Sequence, residues 1–112
     1  MGANQTWAKV IGIILLILAV WGFFNGPSIL GLFGVNMLHN IVHLLTGAIF
    51  AWAGFAAAPV KKVNTWLCVI YAIVGILGFF GVLDVLLGLS VADNWFHLVI
   101  GVVSAWIGWK AE

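Results

Sequence analysis

Six residues carry most of the chemistry this sequence offers: His39, Asn40 and His43, then Asp93, Asn94 and His97. His39 and His43 are spaced i, i+4, and so are Asp93 and His97. On a helix that spacing puts two side chains on one face. Brought together, three imidazoles and a carboxylate (His39, His43, Asp93 and His97) would suit zinc, copper or iron. His43 and His97 alone would suit the two axial positions of a haem. These ligand readings are the alternative to a structural one, which the sequence favours: Asn40, His43, Asn94 and His97 form a hydrogen-bonded cluster that joins the second and fourth helices in a structural or assembly module. A third use is transport or a proton relay through the same polar groups. The cofactor is therefore open between none, a transition metal and haem. No nucleophile–base pair, phosphate-binding loop or paired-carboxylate site stands out. The chain reads as a non-enzyme, with no catalytic residue assigned.

These residues belong to a repeat. A shift of 54 residues lays Asn36–Gly54 on Ser90–Gly108 without a gap. Asn40 then meets Asn94, His43 meets His97, Gly47 meets Gly101, Trp52 meets Trp106 and Gly54 meets Gly108. Both copies read N-x-x-H-x-x-x-G followed by A-W-x-G. Aligned leucines mean little in so apolar a chain, but aligned Asn, His and Trp indicate two copies of one unit. A weaker echo links Thr6-Trp7 with Thr65-Trp66. The whole chain, 1–112, reads as a single membrane domain, with repeat one at about 6–58 and repeat two at about 65–109.

Composition says what surrounds these units. Of 112 residues, 65% are hydrophobic and 6% charged, against about 25% charged in soluble domains. So few charges cannot cover a water-facing surface, so the main partner is the lipid bilayer. A net charge of +1 provides no basic face for nucleic acid. Cys68 is the single cysteine. Its apolar neighbourhood points to an inert buried thiol. Thr46 and Ser104 lie mid-helix, where a hydroxyl usually bonds back to the preceding turn.

Four apolar segments must position the polar residues: about Trp7–Phe24, Met37–Ala58, Thr65–Leu83 and Asn94–Trp109. Each approaches the ~20 residues a membrane helix requires. Their continuous apolar runs lack the alternation of barrel strands. The predicted fold is all-α, a four-span transmembrane bundle of two tandem hairpins related by a pseudo-twofold axis along the membrane normal. The outer connections, Asn25–Val35 and Asp84–Leu89, are expected to lie in the interface as a turn or short helix. Asp84 reads as solvated or capping. No cleavage signal follows the first span, so it is read as retained. With four spans, both termini and the middle loop share one side, and all four lysines lie there. The positive-inside rule makes that side cytoplasmic.

Asn36 and Ser90 are good helix N-cap residues, and Ser90-x-x-Asp93 resembles a capping box with Asp in place of Glu. Positions 36, 40, 43, 47 and 54 form one helical stripe, and 90, 94, 97, 101 and 108 form its equivalent. Gly47, Gly54, Gly101 and Gly108 free that stripe for close packing. The expected arrangement brings the second and fourth helices together along it, with Gly47 and Gly101 at their contact. Self-assembly, or assembly with another membrane protein, is the accompanying expectation.

The run Gly34-Val35-Asn36-Met37-Leu38-His39-Asn40-Ile41-Val42-His43-Leu44-Leu45-Thr46-Gly47 resembles an uncharacterised bacterial membrane family, the domain of unknown function numbered 4383. Ala92-Asp93-Asn94-Trp95-Phe96-His97-Leu98-Val99-Ile100-Gly101 is similar to that family's second signature. The resemblance spans nearly the whole chain. It implies a small four-helix protein of the bacterial inner membrane and no particular activity.

Overall fold

A computed structural model describes residues 2–25, 28–29, 33–34, 36–56, 59–81 and 90–110. Four long helices dominate: α1 (Ala3–Asn25), α2 (Met37–Phe55), α3 (Val60–Phe79) and α4 (Val91–Lys110). All four are long and apolar enough to cross a membrane. The shortest has 19 residues, a rise of about 28 Å.

Local chemistry sets the ends. Asn36 is extended at φ −139° and accepts a hydrogen bond from His39 N at 2.9 Å, starting α2. Ser90 and Asp93 cap α4 reciprocally. Asp93 N donates to Ser90 Oγ at 3.3 Å, and Ser90 N donates to Asp93 Oδ2 at 2.7 Å. Pro59 precedes α3, where its missing N–H costs nothing. The helix closes on Gly81, whose φ of 75° suits a residue without Cβ. Three helices start earlier than the apolar runs suggest, α1 at Ala3 and two others behind a proline or a cap. Lys61 and Lys62 lie in the first turn of α3, and Val91–Asp93 in the first turn of α4. Caps and proline set these starts, and hydropathy does not.

Between α1 and α2, where the sequence predicts a turn or short helix, Ser28–Ile29 (β1) pairs antiparallel with Phe33–Gly34 (β2). Pairing within the segment satisfies backbone groups that an apolar surrounding would leave unmet. The stretch 82–89, with Asp84, lies outside the described residues.

Packing is densest within hairpins, α1 along α2 and α3 along α4, and much sparser between them. Both hairpins are antiparallel with glycine at the contact. A Cβ on Gly12 would meet Ala51 N at 2.6 Å, and one on Gly54 would meet Lys9 N at 2.7 Å. In the second hairpin, a Cβ on Gly75 would meet Leu98 N at 2.8 Å. Polarity is inverted relative to a soluble protein. Val10, Ile17, Val102 and Trp106 face outward, whereas Asn4, Asn64, Asp93, Asn94 and Ser104 are buried.

A few polar bonds cross between the hairpins. Asn64 Nδ2 donates to Asn4 Oδ1 at 2.8 Å and to Asn4 O at 3.1 Å. Trp7 Nε1 donates to Ser104 Oγ at 2.8 Å.

Candidate metal centre

Successive helical residues are rotated by about 100°, so the polar stripe of α2 is broad enough to meet two neighbours. His39 and His43 occupy one edge. Asn40, Gly47 and Gly54 occupy the other, which faces α1. A Cβ on Gly22 of α1 would collide with the Asn40 carboxamide, and one on Gly47 would meet Leu15 Cβ and Leu16 N, both at 3.0 Å. In α4, Gly101 faces α3, where an added Cβ would meet Ala72 N at 2.7 Å. Gly108 also faces α3, at Thr65 Oγ1. The expectation that Gly47 and Gly101 lie between α2 and α4 is therefore corrected. The glycines close each hairpin from within.

The histidine edges meet. His39 and His43 of α2 converge with His97 of α4, and each is at most 2% exposed. Ring centroids are 4.3 Å apart for His39–His43, 5.4 Å for His39–His97 and 5.9 Å for His43–His97. One potential ligand nitrogen from each ring lies within 4.8 Å of the others. Three nitrogens bound at about 2.0–2.1 Å to one ion in a plane lie about 3.5 Å apart. From separations of up to 4.8 Å, a contraction of a little over about 1 Å, within reach of side-chain rotation, would close such a site. Both ring nitrogens of His43, and Nδ1 of His97, are buried with no hydrogen-bond partner among the described residues.

Asp93 lies one turn before His97 and is 1% exposed. Its Oδ2 accepts from both the N–H and the hydroxyl of Ser90. Asn40 and Asn94 are buried too, and neither carboxamide oxygen finds a hydrogen-bond partner among the described residues.

Tyr71 of α3 walls the triad, its ring 5.5 Å from that of His97. The phenol lies 2.6 Å from Thr46 Oγ1, which also donates to Val42 O at 2.8 Å. Threonine has one hydroxyl hydrogen, so Tyr71 is the donor to Thr46. Sequence reasoning missed Tyr71, although a lone tyrosine in an apolar helix signals a phenol that needs a partner.

Fold and site together define an all-α bundle of four membrane-length helices with a polar, histidine-containing interior. The chain belongs to the family described as Domain of unknown function (DUF4383), which matches residues 5–110. That description names no activity. No curated protein and no solved structure matches the chain.

Proposed function

We propose that this is a small, non-enzymatic integral membrane protein that holds a transition-metal ion between His39, His43 and His97. One observation carries the reading: three buried imidazoles converge while both ring nitrogens of His43 and Nδ1 of His97 have no hydrogen-bond partner among the described residues. A neutral imidazole carries one N–H donor and one acceptor. A cluster that served as polar glue would have to use them, because an unmade buried hydrogen bond costs roughly 1–3 kcal/mol. A metal ion takes up the acceptor nitrogens. Haem fits less well. The His39 ring stands within 4.3 Å of His43 and 5.4 Å of His97, in the space a porphyrin between those two would need.

In this reading the chain is two tandem hairpins about a pseudo-twofold axis. The glycine contacts support it, since Gly47 and Gly101 each close their own hairpin. The lysine distribution supports termini in the cytoplasm, and the family resemblance supports a bacterial inner membrane. The partner is the bilayer, with a second copy or another membrane protein as a further partner. The test is metal analysis of protein purified in mild detergent without chelator. About one ion per chain is expected, and its loss is expected in His43→Gln and His97→Gln. Wild-type protein that carries no metal and gains no stability from added zinc, copper or iron salts would refute the proposal.

A further inference from the structure

We infer that the ion is monovalent copper, held by three imidazoles in a closed, three-coordinate site. This rests on the metal-binding reading above and narrows it by charge and coordination number. The donor group comprises three neutral nitrogens, from His39, His43 and His97. The triad sits inside a bundle whose outer surface is Ile, Val, Leu, Phe and Trp. Removing an ion from water into such surroundings is costly, and the electrostatic cost grows with the square of the charge. A divalent ion is therefore far more expensive here than a monovalent one.

Neighbouring charges point the same way. The triad lies within the first two turns of α2 and α4, near the positive ends of both helices. The nearest acid along α4 is Asp93, one turn before His97 and buried. It supplies at most one negative charge, which balances Cu(I) but leaves a divalent ion uncompensated.

Coordination number adds an independent constraint. Zinc in a structural site takes four ligands. The triad offers three, and among the described residues Asp93 does not join the group of His39, His43 and His97 whose ligand atoms lie within 4.8 Å of one another. Cu(I), with a filled d shell, is content with three nitrogens in a plane. Imidazole is a good ligand for copper. Tyr71 and Phe96 place aromatic rings 5.5 Å and 6.1 Å from His97, and they limit entry of a water as a fourth ligand.

The experiment uses the full chain in detergent with Cys68→Ala, which removes its single thiol as a competing copper ligand. Cu(I) is added anaerobically as its acetonitrile complex against bicinchoninate. Zn(II) and Co(II) are added to parallel samples. The expected result is one Cu(I) per chain with a three-coordinate X-ray absorption edge, and no Zn(II) or Co(II) retained through desalting. His43→Gln and His97→Gln, with helix content checked by circular dichroism, should release the copper. Copper retained by both folded variants, or a four-coordinate edge, overturns the inference. Stoichiometric Zn(II) or Co(II) without Cu(I) overturns it too, but leaves the metal-binding reading standing. Failure of all three ions, and of iron salts added to a further sample, defeats both.

Discussion

Trp7, at the start of α1, donates its indole N–H to Ser104 Oγ on α4 at 2.8 Å, tying together residues 97 positions apart. Membrane side-chain hydrogen bonds contribute ~0.6 kcal/mol on average and up to ~1.7. Trp7→Phe and Ser104→Ala should each destabilise the bundle by an amount in that range. The double variant should cost clearly less than their sum. Reversible unfolding in mixed micelles measures this cycle, and strict additivity would show that the bond contributes nothing.

The two hydroxyls beneath the triad predict an asymmetry. Thr46→Val removes the acceptor of the buried Tyr71 phenol and leaves its hydrogen unpaired, a cost of roughly 1–3 kcal/mol. Tyr71→Phe leaves Thr46 still bonded to Val42 O and should cost visibly less. If Tyr71→Phe proves the worse of the two in chemical unfolding, the assigned donor direction is reversed.

Glycines at backbone contacts should tolerate least. A Cβ at Gly101 would meet Ala72 N at 2.7 Å and Ala72 Cα at 2.9 Å. One at Gly108 would meet Thr65 Oγ1 at 3.0 Å and nothing else nearer than 3.6 Å. Gly101→Ala should therefore cost about 1–3 kcal/mol, and Gly108→Ala much less. Melting temperatures in one detergent compare them, and equal losses would contradict the described α3–α4 contact.

Orientation can be read by labelling in a Cys68→Ala background. Lys61→Cys should resist a membrane-impermeant thiol reagent applied to intact cells. Val91→Cys, at a position 65% exposed beside the start of α4, should react. The opposite pattern would invert the topology.

Much of this bundle is legible in its amino acids, for physical reasons that differ by feature. Four apolar runs reveal four helices because an unbroken run of membrane length has few other solutions. The histidine pair at i, i+4 and its echo at His97 mark the site residues. Periodicity fixes a face but not the neighbour that face meets, so the stripe suggests an α2–α4 glycine contact where Gly47 meets α1 and Gly101 meets α3. The Asn4–Asn64 bond leaves no trace in either pattern. Asn4 precedes the first apolar run and Asn64 follows two lysines, so both resemble interfacial residues until packing brings α1 against α3. The ladder between α1 and α2 was hidden in the same way, by a segment too short and too apolar to declare a strand.

The contrast between tight hairpins and a thin seam bears on how the protein is made. Each hairpin has an extensive internal contact and can enter the bilayer as a preformed pair during synthesis. Trp7 and Ser104 can meet only after the last helix has been inserted, and so can His43 and His97. The histidine triad is thus a product of the final joining step. If the proposed site holds a metal, an ion added to nascent chains would register completed assembly, because a chain halted after its first hairpin presents only His39 and His43 of the three imidazoles.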